Sequence, residues 1–140
     1  MAFRLDPRLQ QDTIELGGSE QALLLLLNDS RYPWFVLVPR QEGASEWFDL
    51  PESLQIELHR QSVQLGAAIR EHFHCDKINI AALGNIVRQM HLHVVGRRVG
   101  DPAWPGPVWG HSAAVPYDPT ALEELKSILR KMTELPFTLQ

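Results

Sequence analysis

Short apolar runs alternate with polar, turn-forming stretches along the first part of the chain. The runs TIEL, ALLLLL and WFVLVPR begin at Thr13, Ala22 and Trp34, and each is bounded by Gly, Asn, Asp or Pro. Runs of this length with such boundaries predict strands. We therefore expect three strands, joined by the Gly-rich stretch GGSEQ and by the turn NDSRYP.

The pattern changes to a helical period over residues 50–73. Apolar residues recur there at spacings of four or seven, namely Leu54, Leu58, Leu65, Ile69 and Phe73. This spacing places them on one face of a helix. A second helix is predicted over about 119–132, because Asp118 can cap it and Pro119 suits its first position.

Two more strands are predicted in the runs KINIAAL and VRQMHLHVV, with a tight connection at Gly84 and Asn85. Short turns between successive strands favour an antiparallel sheet on which the helices pack. We therefore predict one α+β domain over residues 1–140, with a sheet of about five strands and two main helices. A Pro-, Gly- and Trp-rich loop is expected at about 97–117.

Composition and charge narrow the class of protein. The 140 residues are 44% hydrophobic and 21% charged, which is ordinary for a soluble globular domain. A net charge of −4 argues against broad binding to nucleic acid or to an anionic membrane. The single cysteine, Cys75, excludes an intramolecular disulfide, and ALLLLL is too short to span a bilayer. With no signal-like apolar segment at the N-terminus, a cytoplasmic protein is expected.

The stretch QMHLHVVGRR, residues 89–98, carries the candidate chemistry. In a strand, alternate side chains share a face, so Gln89, His91 and His93 should point one way. Their apolar neighbours should then point into a core. The backbones of the two histidines would lie roughly 6–7 Å apart, so that both rings could contact one phosphate. Imidazole can act there as a nucleophile, a proton carrier or a metal ligand.

Two other interpretations compete for these histidines. They could be half-exposed strand residues, because polar side chains at every second position are typical of a one-sided sheet. They could also bind a metal together with His72 and His74 from HFHC, although histidines near a helix C-terminus are often only solvated. Polar phosphate-binding groups bracket the pair, Gly-Asn before it and Gly-Arg-Arg after it, and they favour a phosphate site.

At this stretch the sequence resembles the histidine triad (HIT) family of nucleotide hydrolases and transferases. The family motif is His-x-His-x-His followed by two apolar residues; here it reads QMHLHVV, with Gln89 in place of the first histidine, as in a bacterial-type variant. The resemblance covers about residues 22–97, and it implies a HIT-like fold and a homodimer. Ile86 replaces a small hydroxyl residue, and Trp34 lies in the turn region where the family often has Pro-Gly-His.

The resemblance also implies roles for single residues. His91 would be the nucleophile that attacks an α-phosphate, and His93 would bind the phosphate or assist the leaving group. Asn85 corresponds to a position that contacts the phosphates, and Asn28 to one that holds the ribose hydroxyls. Gln89 cannot be an imidazolium acid, but its amide can contact phosphate or water and its carbonyl can orient His91. The implied chemistry needs no metal or other cofactor.

The expected substrates are nucleoside phosphates, with diadenosine polyphosphates or adenylyl conjugates as candidates. A nucleotide-binding sensor with little turnover remains an alternative, as does the metal-binding protein. In the loop DPAWPGPVWGH, Trp104 and Trp109 could seal the edge of the core. They could instead shape the pocket, in which case Trp109 would bind substrate and His111 could add a donor.

Overall fold

The computed structural model describes residues 2–140. Its strands are β1 Thr13–Gly18, β2 Ala22–Leu27, β3 Trp34–Pro39, β4 Lys77–Ala81, β5 Leu92–Arg97 and β6 Thr138–Leu139. Its helices are α1 Pro7–Asp12, α2 Glu52–His72 and α3 Pro119–Arg130, with a short 3-10 turn at Trp47–Asp49. The six strands form one antiparallel sheet in the order β4-β5-β3-β2-β1-β6. This confirms the predicted α+β class with two main helices.

The central strands β2 and β3 are buried on both faces, which explains why their sequences show no alternation. One face packs against α2 and α3, in a cluster that includes Leu26, Leu37, Leu65 and Leu129. The other face packs under the N-terminal segment and residues 98–118, in a cluster that includes Leu9, Leu25, Val36, Val95 and Val108. On this face, a long irregular segment covers the sheet in the place where a second layer of helices could pack.

The strand predicted to carry both motif histidines is shorter than expected, and only His93 lies within it. It begins at Leu92, because the preceding segment leaves the sheet and the Met90 N–H donates to the Ala44 carbonyl at 2.9 Å. The predicted tight turn at Gly84 and Asn85 is therefore wrong, and residues 82–91 form an open connection. From Leu92 onward the expected alternation holds.

At Gly96, three neighbouring side chains approach β5 too closely for this position to carry a side chain of its own. A Cβ at this position would lie 2.6 Å from Cys75 Sγ, 2.7 Å from Pro33 Cγ and 2.9 Å from Ile69 Cγ2. Such distances are well inside van der Waals contact. Glycine at this position therefore lets α2, the segment after it and the β2–β3 turn pack directly on the strand that carries His93.

The loop of residues 98–118 is held at its start by a buried ion pair. Arg97 is 2% exposed, and its guanidinium donates two hydrogen bonds to Asp101, at 2.8 and 2.9 Å. The same guanidinium lies over the rings of Tyr32 and Trp104. A buried charge is stable only when it is paired, so Arg97 must keep its contact with Asp101. This contact fixes the position of the first residues of the loop. Within residues 2–140, no helix has the length and apolar character needed to cross a membrane.

Candidate active site

A cavity of about 520 Å³ opens on the loop-covered side of the sheet. This volume lies in the usual range for small-molecule sites, roughly 300–1,000 Å³. Its walls come from α1, from β3 and β5, from the connection 82–91 and from the long loop. The lining residues include Arg8, Asp12, Trp34, Asn85, His91, His93 and Trp109. The two motif histidines therefore meet in one concave site.

His91 is held with one nitrogen free for chemistry. Its Nδ1 lies 2.7 Å from the main-chain carbonyl of Gln89. A carbonyl only accepts hydrogen bonds, so Nδ1 carries the proton and, in the neutral imidazole, Nε2 carries none. The residue is 6% exposed and lines the cavity, rather than standing half-exposed on a sheet surface. In the neutral form Nε2 has a free lone pair, the feature that a nucleophile or a hydrogen-bond acceptor requires.

His93 is fixed in the opposite tautomer. The indole N–H of Trp34 donates to its Nδ1 at 2.9 Å, so Nε2 carries the proton. The rings of His91 and His93 lie 4.9 Å apart, at 70° to one another. Burial, together with the charge of His91, lowers the pKa of His93 to about 3. His93 is thus a neutral hydrogen-bond donor near pH 7, not an imidazolium acid.

Trp109 completes an aromatic wall around His93. Its ring lies 5.5 Å from that of His93 and 5.9 Å from that of Trp34, both edge-on. Its indole N–H is buried, and among residues 2–140 nothing accepts a hydrogen bond from it. Trp104 lies instead over Arg97, 5.7 Å from its guanidinium carbon. Of the two loop tryptophans, Trp109 is therefore the one placed to touch a ligand.

The mouth of the cavity is formed by the connection 82–91. Asn85 is exposed there and lines the cavity, next to Gly84 in a left-handed conformation with φ of 75°. Ile86 is 75% exposed and lines the same rim. The rim therefore combines one amide side chain with an apolar surface, both accessible to a ligand.

The predicted ribose residue, Asn28, is not on the cavity wall. Its Oδ1 accepts a hydrogen bond from the Tyr117 N–H at 2.9 Å, so it ties the long loop to the β2–β3 turn. Its neighbour Asp29 does line the cavity, but Arg31 holds both of its oxygens at 2.9 Å. Burial alone would raise the pKa of Asp29. Hydrogen bonds from Arg31 and from Val115 outweigh that effect, so the pKa lies below its ordinary value.

The side chain of Gln89 also lies away from the cavity wall. Its amide contacts the main chain of Arg4 and Asp6 in the N-terminal segment, whereas its carbonyl orients His91. We expected this amide to face the phosphate site together with the two histidines. The structure does not place it there, because it points to the N-terminal segment instead. The carbonyl contact with His91 is present as expected.

The metal-binding alternative finds no common ligand set. His72 pairs with Glu134 at 3.2 Å, and His74, two residues beyond the end of α2, is exposed and left-handed with φ of 55°. Over residues 2–140, the group of three ligand atoms close enough for one ion is Glu71, His72 and Glu134. The structure therefore does not bring His72 and His74 together with the motif histidines.

Sequence reasoning missed the contribution of α1 to the site. Arg8, Leu9 and Asp12 all line the cavity, although they precede the motif by about eighty residues. In the sequence, Asp6 followed by Pro7 is typical of a helix start, but nothing near them links that helix to the histidines. Its cap is observed, because Asp6 Oδ1 accepts from the Arg8 N–H at 2.8 Å.

Comparison with known proteins places this site in a family. A family model described as the HIT domain matches residues 8–100. A histidine triad protein from Marinobacter aquaeolei VT8 is 45% identical, with 96% of this chain and 98% of that chain covered and a TM-score of 0.92. Histidine triad protein blr8122 from Bradyrhizobium japonicum is 42% identical, with 94% and 98% covered and a TM-score of 0.91.

A third structure, the histidine triad protein SMc02904 from Sinorhizobium meliloti 1021, is 40% identical, with 92% and 96% covered and a TM-score of 0.89. No curated protein matches this chain. The family model spans well over half of the sequence and contains both histidines of the cavity. The chain therefore belongs to the HIT domain family of histidine triad proteins.

Proposed function

We propose that this protein is a nucleotide hydrolase or nucleotidyl transferase that acts at the α-phosphate of nucleoside phosphates through a nucleotidyl-His91 intermediate. Membership of the HIT family supports nucleotide binding or hydrolase and transferase chemistry in general. The observation that carries the proposal is the 2.7 Å hydrogen bond from His91 Nδ1 to the Gln89 carbonyl. It leaves Nε2 unprotonated in a cavity that also contains the N–H of His93.

The reaction would proceed by two displacements at phosphorus. His91 Nε2 attacks the α-phosphorus, an N–P bond forms, and the leaving group departs with the electron pair of its bond to phosphorus. The positive charge that develops on the ring is stabilised by the Gln89 carbonyl. Water, or another acceptor hydroxyl, then attacks phosphorus and loses its proton to solvent. The N–P bond breaks, its electron pair returns to Nε2, and the neutral imidazole is restored.

The state of His93 favours one class of leaving group. A neutral Nε2–H can stabilise negative charge on the phosphoryl oxygens but is a poor proton donor to a basic leaving group. The Gln89 amide carries no acidic proton. We therefore infer that phosphoanhydrides, such as diadenosine polyphosphates, are better substrates than phosphoramidates, because their leaving group departs as a stable phosphate anion.

Residues on the cavity wall suggest how the nucleotide would bind. Asn85 can donate to the phosphates at the rim, and Trp109 can contact the nucleoside. Ribose hydroxyls need acceptors, and Asp29 is occupied by Arg31. Asp12 lines the cavity, and its main chain accepts from the Asn28 N–H at 3.0 Å. We therefore propose Asp12, the spatial neighbour of Asn28, as the ribose-binding residue.

The proposal is tested by trapping the intermediate. Purified protein is mixed with diadenosine tetraphosphate, and its intact mass is measured under mildly alkaline quench. A nucleotidyl adduct should form on the wild type and on His59→Ala, which changes an exposed histidine of α2. It should be missing from His91→Ala. Tight AMP binding without adduct or turnover would favour the nucleotide sensor instead.

We also propose that the protein is a homodimer. β4 is the terminal strand at one end of the sheet, so its outer edge can pair with another strand. Exposed apolar residues lie on β4 and on α2, which packs against it, namely Ile80, Ile56 and Val63. Sedimentation should give a dimer that Val63→Asp dissociates, whereas Gln64→Ala on the same helix should not. A monomer in the wild type at micromolar concentration would exclude this assembly.

A further inference from the structure

Gln89 forms hydrogen bonds through both ends of its side-chain amide and through its main-chain carbonyl. Its Oε1 accepts a hydrogen bond from the Asp6 N–H at 2.8 Å, and its Nε2 donates to the Arg4 carbonyl at 2.7 Å. Its main-chain carbonyl accepts from His91 Nδ1 at 2.7 Å. A primary amide carries an acceptor and a donor side by side, and here they meet the two peptide groups that flank Leu5. One residue therefore contacts both the N-terminal segment and the ring of His91.

The segment that Gln89 holds builds one wall of the cavity. Asp6 caps α1 through its side chain, so the position of Asp6 sets where this short helix begins. Leu9 of α1 is buried in the cluster under the sheet, and Phe3 and Leu5 pack on the same cluster. Arg8 and Asp12 line the cavity itself. Displacement of Asp6 would therefore move charged groups in the site.

We propose that Gln89 is a positioning residue that clasps the N-terminal segment to the histidine site. Its carbonyl sets the ring of His91, and its side-chain amide holds residues 4–6 so that α1 closes the cavity. The catalytic half of this inference rests on the proposed function, whereas the contact with the N-terminal segment does not. The glutamine in the first motif position thus has a task of its own, and is not merely a lost histidine.

The geometry also explains why histidine would not serve in this position. The two nitrogens of an imidazole point away from each other across the ring, whereas the amide groups of glutamine point outward along one edge. An imidazole could meet the Arg4 carbonyl or the Asp6 N–H, but not both. Gln89→His should therefore release the segment, even though it restores the three-histidine motif.

Hydrogen exchange and steady-state kinetics together test the clasp. In Gln89→Ala, the amides of Asp6 and Gln10 should exchange about thirtyfold faster, the loss expected from two hydrogen bonds of about 1 kcal/mol each. KM for diadenosine tetraphosphate should rise about tenfold, with kcat within about twofold, because the main-chain carbonyl remains. Gln64→Ala, an exposed glutamine on α2, is the matched control and should change neither quantity.

Two further variants sharpen the test. Deletion of residues 2–6 should raise KM, and Gln89→Ala should add nothing in that shortened chain, since the contact of the Gln89 amide is already gone. Gln89→His should behave like Gln89→Ala. Additive effects, unchanged exchange at Asp6, or a gain of turnover in Gln89→His would overturn the clasp. If the wild type turned over no nucleotide, the proposed function would fail, while exchange at Asp6 would still decide whether Gln89 holds the segment.

Discussion

The indole N–H of Trp34 donates a 2.9 Å hydrogen bond to Nδ1 of His93. Trp34 is the first residue of β3 and pairs with Val95 across the ladder, whereas His93 pairs with Val36 two residues further along β3. The register of two adjacent strands therefore brings the donor to the ring. Because Nδ1 is occupied, the proton of His93 is held on Nε2, the nitrogen left to contact a phosphate.

Replacing Trp34 should disturb His93 without unfolding the protein. Trp34→Phe keeps a large aromatic ring but removes the donor to Nδ1, so the ring can flip or change tautomer. We expect turnover to fall about tenfold, in line with the net value of one buried hydrogen bond. Trp47→Phe changes a tryptophan on the opposite core cluster and should leave turnover unaltered. Equal rates for both variants would contradict the role of this hydrogen bond.

The lowered pKa of His93 predicts an acid-sensitive fold. Its folded pKa of about 3 lies below the unfolded value near 6.5. Between these values the unfolded chain binds a proton that the folded chain does not. Stability contributed by neutral His93 is therefore full above about pH 6.5 and is lost as pH falls toward 3. Urea unfolding of His93→Asn across this range should show a shallower loss than the wild type.

His59→Asn, at an exposed position of α2, is the control for the acid experiment and should follow the wild-type profile. The carboxylates of the protein contribute to acid unfolding in all three proteins alike, so only the difference between profiles counts. Parallel profiles for His93→Asn and wild type would show that His93 does not titrate between folded and unfolded states as its burial indicates.

Trp109 should report nucleotide binding by its fluorescence. Its ring lines the cavity against His93, and its buried N–H has no acceptor among residues 2–140. Titration with AMP should therefore quench or shift the emission, and Trp109→Phe should remove most of that change. Trp104→Phe should retain it, because Trp104 packs on Arg97 instead. A full signal in Trp109→Phe would place the nucleoside elsewhere.

The ribose assignment separates Asp12 from Asn28. Asp12→Ala should weaken AMP binding about tenfold but change inorganic phosphate binding little, since it removes an acceptor for the hydroxyls. Asn28→Ala should instead loosen residues 112–117, because it removes the acceptor of the Tyr117 N–H. Isothermal titration and limited proteolysis distinguish the two effects. A selective loss of AMP binding in Asn28→Ala would restore the original assignment.

Gly96 should tolerate no side chain. Gly96→Ala would press a methyl group to within 2.9 Å of three neighbours. Overpacking of this kind costs typically about 1–3 kcal/mol of unfolding free energy. Gly106→Ala is the control, because its nearest neighbour is a single carbonyl oxygen at 3.2 Å. Denaturant unfolding that shows a smaller loss for Gly96→Ala than for Gly106→Ala would contradict the packing argument.

The fold could be predicted because its signals are local. Runs such as ALLLLL become central strands with both faces covered, and the period of Leu58 and Leu65 becomes the buried face of α2. The two-residue strand β6 could not be predicted, since it exists only through its pairing with Gly17 and Gly18 of β1. Strand pairing of this kind depends on the tertiary fold rather than on pattern.

The site divides in the same way. The alternation of His91 and His93 with core residues can be read from the motif itself. The position of the Gln89 side chain could not be predicted from the motif, because its partners Arg4 and Asp6 lie more than eighty residues earlier in the chain. Likewise, nothing near Asn28 shows that its amide oxygen is taken by Tyr117. Distant hydrogen bonds decided which polar residues face the cavity and which do not.

The ion pair between Arg97 and Asp101 lies at the end of the stretch that the family model matches. The stretch matched by the family model ends at residue 100, after the histidines, whereas Trp109, Gly110 and Ser112 of the cavity wall follow it. Part of the cavity wall thus lies outside the stretch that holds the two histidines. A chimera that keeps Arg97 and Asp101 but takes residues 102–114 from a relative would be an economical way to redirect this protein to new substrates.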